Sequence, residues 1–220
     1  MRIQEISINS KEYPTKLRSI YDPPKKIYVL GNKKIINQKG IAIVGSRNAT
    51  QYGKKVAYEI SKQLTEKGVN VISGLAIGID EYAHIGSIRA QKENIDIGKT
   101  IAILGSGIDK IYPKQNIELA RKIIQTGGCI ISEYPLGESP KRLHFPQRNR
   151  IISGLSNGVL VVEATKTSGS LITVDFAIEQ GKEVFVVPGD ITREQSQGTN
   201  ELIQSGATMI LSSKEILNNI

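Results

Sequence analysis

At 220 residues, with 39% hydrophobic and 23% charged side chains, the chain can build one domain with a sizeable core and has the composition of a soluble globular protein. No apolar run approaches the ~18 residues needed to cross a bilayer, and the N-terminal MRIQEISINSKEYP lacks the apolar stretch of a secretory signal. The single cysteine, Cys129, lies in an apolar CIIS run and can form no internal disulfide, so a reduced, cytoplasmic setting with no membrane partner is expected.

Residues 1–40 carry nine Lys or Arg against three Asp or Glu, which is most of the net charge of +8; residues 41–220 carry 20 against 18. Global charge is therefore weak evidence for an anionic partner, and local charge decides. The first 40 residues are punctuated by Pro14, Pro23 and Pro24, with KIYVLGN (26–32) as a possible short strand. They read as a basic N-terminal extension packed on a core of residues 41–220. From residue 41 a regular alternation begins. Candidate strands are IAIVG (41–45), VNVIS (69–73), TIAIL (100–104), CIIS (129–132), GVLVVE (158–163), EVFVV (183–187) and ATMIL (207–211). Nearly all are continuous apolar runs, as in strands covered on both faces. Helical stripes lie between them, such as Val56, Ile60 and Leu64, then Ile117, Ala120 and Ile124, then Leu171, Val174 and Ile178. Residues 91–99 (QKENIDIGK) read as a solvated loop. The rhythm predicts an α/β fold: a mainly parallel, Rossmann-like sheet of about seven strands with helices on both faces.

In such a sheet ligands bind beyond the carboxyl ends of the strands. After the first core strand comes Gly45-Ser46-Arg47: a glycine that admits a ligand, a hydroxyl beside helix-start amides, and a cation suited to phosphate, or else an ordinary turn with a solvated arginine. GSGIDKIYP (105–113) begins like a dinucleotide fingerprint, but Lys110 replaces the third glycine. There is no GxGxxG after the first strand and no GxxxxGK[ST], so neither NAD nor P-loop chemistry is expected, and no cofactor is assigned. Thr167-Ser168-Gly169-Ser170 precedes an apolar helix and either caps it or grips an anion.

The densest local charge is KRLHFPQRNR (141–150), where Lys141, Arg142, Arg148 and Arg150 surround Phe145. Cations for phosphates and a ring for a base are what single-strand binding without sequence readout requires; the alternative is a basic helix start with a buried phenylalanine. Catalytic sets are scarce. His84 and His144 have no metal-ligand spacing, Cys129 reads as core, and Asp80, Glu81, Glu133 and Glu163 near strand ends read mostly as buried or capping carboxylates.

Several strings, in order and across nearly the whole chain, resemble the DprA/Smf family of DNA-processing proteins. They include YPTKLRSIYDPPKKIYVLGN (13–32), IAIVGSRNAT (41–50), VISGLAIGID (71–80), HFPQRNRIISGLSNGVLVVEA (144–164), TSGSLIT (167–173) and VPGDITREQSQGTNELIQSGA (187–207). The resemblance implies an extended Rossmann fold that binds single-stranded DNA and loads a RecA-type recombinase in natural transformation or related recombination. It implies a DNA pocket using Arg47, Arg142 and Phe145, with Gly45 and Ser46 beside them, and it implies homodimers. The apolar C-terminal residues Leu202, Ile203, Ile210, Leu211, Ile216 and Leu217 are the candidate dimer surface, or else ordinary packing. The flanking helical or winged-helix domain that the resemblance implies for many members is not expected within these 220 residues. The competing reading is a nucleotide-acting phosphoribohydrolase of related fold, whose PGGxGT turn is not matched by TKTSGSLIT (165–173).

Overall fold

In the computed structural model, which describes residues 2–90 and 97–220, the apolar runs form a nine-stranded sheet. Its core is parallel: β3 (Gly40–Val44), β4 (Asn70–Ser73), β5 (Thr100–Leu104), β6 (Cys129–Ser132), β7 (Gly158–Val161), β8 (Glu183–Val186) and the short β9 (Thr208–Met209). The count exceeds the expected seven because the N-terminal segment supplies two more, β1 (Gln4–Ser7) and β2 (Lys26–Gly31). β2 pairs antiparallel with β6, placing Val29 opposite Ile131, and β1 pairs antiparallel with β2. β1 went unpredicted because only Ile6 of its four residues is buried. Of the loop expected at 91–99, residues 91–96 lie outside the described residues, and 97–99 lead irregularly into β5.

The spatial order is β1-β2-β6-β5-β4-β3-β7-β8-β9. The chain runs outward from β3 through β4 and β5 to β6, then returns to lay β7 on the other side of β3. That reversal opens a crevice at the carboxyl ends of β3 and β7. Alternate side chains of β3 face opposite layers. Ala42 and Val44 meet α5 (His144–Leu155) and α6 (Leu171–Glu179); Ile41 and Ile43 meet α2 (Gln51–Glu66) and α3 (Ile79–Ala90). A strand sandwiched in this way must be apolar at every position, which is why β3 reads as a continuous run. α1 (Thr15–Arg18) joins the α5 layer through Leu17, and α4 (Ile117–Gln125) covers β5 and β6 through Ala120 and Ile123.

The C-terminal apolar residues are a correction. Leu202 and Ile203, on α7 (Glu194–Gln204), pack on the α5 layer; Ile210 is buried, as is Ile216 on α8 (Ser213–Asn218), and Leu217 packs beside them. Only Leu211, 77% exposed, remains at the surface with its neighbour Met209. Short terminal elements must spend their apolar side chains on closing the sheet edge, so this segment is mainly core. Among the described residues no helix is long and apolar enough to cross a membrane.

Candidate nucleic-acid interface

A cleft of about 400 Å³ occupies the crevice, between the turn after β3, the start of α6, and one face of α5. It brings together Gly45, Ser46, Arg47, Phe145, Arg148, Ser168, Gly169 and Ser170; Lys141, Arg142 and Arg150 are not among its walls. Arg47 is exposed, and its Cζ stands 5.6 Å from the centroid of the half-buried Phe145 ring, a cation–π distance. Tyr112, 48% exposed on the loop after β5, sets its ring 5.5 Å from Phe145 at 46°. Tyr112 is not among the residues expected at the site, since the glycines of GSGIDKIYP carry that reading. The sequence signal was an aromatic in a strand-end loop.

Gly45 and Ser46 serve the turn itself. A Cβ on Gly45 would lie 2.7 Å from Ile79 Cγ1 and 2.8 Å from the Glu163 carbonyl, so the missing side chain admits the protein's own packing rather than a ligand. The Ser46 amide donates to the Glu163 carbonyl at 2.7 Å, and its buried hydroxyl accepts from the Asn48 amide. The α2 amides expected to face a ligand are partly spent as well. Thr50 caps α2 by accepting from the Gly53 amide, while its own amide and hydroxyl donate to the Glu163 carboxylate. Glu163 is thus a buried capping group.

Arg148 and Arg150, expected to reach DNA, turn inward, because every residue from 148 to 155 is on the buried side of α5 or its tightly packed end. Arg148, 5% exposed, donates from Nη1 to the Gly74 and Ile103 carbonyls and from Nε to Asn149 Oδ1. Asp80 lies 3.9 Å from its Nη2 and accepts from the Gly74 and Ala76 amides. Burial outweighs their mutual attraction. It pulls the Arg148 guanidinium down to about 10 and raises the Asp80 carboxyl above the usual range. A Cβ on Gly74 would collide with the Arg148 guanidinium, so a side chain there would push that group out of its place. Arg148 therefore contributes to the cleft floor while bracing β4, β5 and α5. Arg150 makes a bidentate pair with Glu133 at 2.7 Å and donates from Nε to the Asp22 carbonyl and carboxylate, tying the N-terminal segment to α5.

Lys141 and Arg142 are exposed in the segment leading into α5; Lys141 pairs with Glu138 at 2.6 Å, and Arg142 has no ion pair among the described residues. His144 anchors the start of α5, with Nδ1 3.1 Å from the Gly105 carbonyl and its ring stacked 3.9 Å from Tyr134. Ser170 holds the N-cap position of α6 without a side-chain capping bond; its hydroxyl instead meets that of Ser168 at 2.8 Å. Cys129 is buried, and burial pushes its thiol up, away from reactivity. Among the described residues no group of His, Cys, Asp or Glu is arranged to hold a metal ion.

The model of the family described as DNA recombination-mediator protein A matches residues 4–220. The chain belongs to the DprA/Smf family. It is 43% identical to the DNA processing protein DprA of Bacillus subtilis over 219 residues, covering 99% of this chain and 71% of that protein. The X-ray structure of DprA from Streptococcus pneumoniae superposes with a TM-score of 0.91 at 39% identity, over 100% of this chain and 75% of that one. The DNA processing protein A of Helicobacter pylori, solved for its unique single-stranded DNA binding mode, superposes with a TM-score of 0.85 at 30% identity, over 99% of this chain and 95% of that one. As a DprA/Smf member the chain is a DNA-processing family protein with a mostly parallel Rossmann-like sheet.

Proposed function

We propose that this chain binds single-stranded DNA without sequence preference, as a binding module rather than an enzyme. The observation that carries the reading is the Arg47–Phe145 pair, a cation for phosphate 5.6 Å from a ring for a base, set in the crevice where an open α/β sheet takes its ligands. Family membership and the Helicobacter pylori relative's single-strand binding support it. Arg142 and Lys141, exposed beside the start of α5, supply further phosphate contacts in this reading. Titration with single- and double-stranded oligonucleotides of equal length, at several salt concentrations, is expected to favour the single strand, because charge and stacking are offered without a groove-reading helix. Equal affinity for the two would defeat the proposal.

The non-enzymatic reading rests on the carboxylates near the strand ends, since Asp80, Glu133 and Glu163 are engaged by amides, Arg150 and Thr50. Release of free base from a nucleoside monophosphate would overturn it. Delivery of the strand to a RecA-type recombinase, in a cytoplasmic setting and in natural transformation or related recombination, extends the family's recombination-mediator description. A recombinase whose loading rate on single strands ignores the protein would speak against that step. A homodimer belongs to the same reading, with exposed Met209 and Leu211 at the β9 edge as the remaining apolar contact. Sedimentation at tens of micromolar, roughly the range where a useful dimer persists, is expected to give the dimer mass; a monomer there ends the idea.

A further inference from the structure

The α5 side of the cleft, with Arg47 and Phe145, is accounted for by strand binding; the α6 side carries donors that the protein itself does not use. Among the described residues the backbone amides of Gly169 and Ile172 donate to no protein atom. The hydroxyls of Ser168 and Ser170 bond to each other, which leaves one proton of the pair without an acceptor. Thr173, 1% exposed, lines the cleft, and its hydroxyl has no hydrogen-bond partner among the described residues. Among the described residues the fully sealed side-chain atoms without a partner lie elsewhere, at His84 Nε2 and Gln180 Oε1, so the Thr173 hydroxyl is open to an acceptor in the cleft. α6 is nine residues long, and the positive end of its dipole falls at the same place. The nearby carboxylate of Asp80 is turned to the Gly74 and Ala76 amides, with Arg148 beside it.

We propose that the α6 side of the cleft is a phosphomonoester subsite, holding the terminal phosphate of a nucleotide whose base reaches Phe145. The inference rests on the reading of the cleft as a strand-binding site, with which it shares Arg47 and Phe145. The residues carrying these two amides and two hydroxyl protons line one side of the cleft. A terminal phosphate presents three strongly accepting oxygens and close to two charges, whereas an internal diester presents two free oxygens and one charge. The cleft volume of about 400 Å³ lies in the range of small-ligand sites. Such a phosphate has two sources, a free nucleoside monophosphate or the 5′-phosphorylated end of a strand.

Calorimetric titration of the full chain with dTMP and thymidine, and with oligo(dT) of one length bearing a 5′-phosphate or a 5′-hydroxyl, separates these. In at least one pair the phosphorylated ligand is expected to bind about ten-fold more tightly. A preference only among the mononucleotides assigns the subsite to free nucleotide; one only among the oligonucleotides assigns it to strand ends. Thr173→Val is expected to weaken the favoured phosphorylated ligand about five-fold, the loss of one neutral hydrogen bond, and its hydroxyl counterpart by less. Ser170→Ala repeats the test if Thr173→Val melts below the wild type. Equal binding within both pairs overturns the subsite and leaves strand binding standing. Failure of both oligonucleotides overturns strand binding instead, with the mononucleotide pair still deciding the subsite.

Discussion

Replacing Arg148 with methionine is expected to lower folding stability by about 3–5 kcal/mol, the cost of leaving one member of a buried charge pair alone. The guanidinium sits among the Gly74 and Ile103 carbonyls, Asn149 and Asp80, buried at the cleft floor. Methionine fills most of the volume but satisfies neither carbonyl and leaves the Asp80 carboxyl in a site that already disfavours its charge. Arg47→Ala is the control. Its side chain is exposed, so its loss is expected to change stability by no more than about 0.5 kcal/mol. Urea denaturation of both variants measures the contrast. A loss below about 1 kcal/mol for Arg148→Met, the size of an ordinary neutral hydrogen bond, would mean that the brace between β4, β5 and α5 is held by other contacts.

Phe145→Ala is expected to weaken single-strand binding by about 1–3 kcal/mol while leaving its salt dependence nearly unchanged, because stacking releases no counterion. Arg47→Ala is expected to do the reverse in form: affinity falls for all sequences alike, and the slope of log affinity against log salt drops by about 0.7 for each phosphate that the arginine no longer neutralises. The Arg47 Cζ lies 5.6 Å from the Phe145 ring centroid, within cation–π range, so their effects should not add; a double variant is expected to lose less than the sum. Phe145 also packs on Tyr112 and is half-buried, so its removal also costs fold stability. A melt on the same sample separates lost stacking from lost structure. Wild-type affinity in a normally melting Phe145→Ala protein would remove the ring from the binding role, and an unchanged slope in Arg47→Ala would move the phosphate site elsewhere.

The sheet was legible where burial on both faces forces continuous apolar runs, as in Ile41–Val44, and illegible where it does not, as in Gln4–Ser7. The cluster from Lys141 to Arg150 was legible as charge but not as direction. Composition cannot distinguish a guanidinium aimed at solvent from one aimed at Glu133; that depends on which face of α5 meets the sheet. The same holds for Glu163, whose capping of Thr50 spans over a hundred residues of sequence. The Arg47–Phe145 contact was likewise invisible as a contact, although both residues were singled out, because it needs β3 and α5 to end at the same crevice. The C-terminal apolar residues misled for the complementary reason: a sequence shows hydrophobicity, not whether a sheet edge is waiting to consume it.

The antiparallel insertion of β2 beside β6 has a consequence for synthesis. Val29 leaves the ribosome about a hundred residues before its partner Ile131, and at about 5–20 residues per second that interval is on the order of 5–20 s. Through it the nascent β2, with its apolar Ile27 and Val29, has only β1 on one edge, and the edge that β6 will take stays open. β3, β4 and β5 can zip together in the meantime, since they pair in order of emergence. The N-terminal segment, first made, is thus docked late, and the ion pair of Arg150 with Asp22 can close only with it. A strand edge left open for so long is where stalled or truncated chains would find one another.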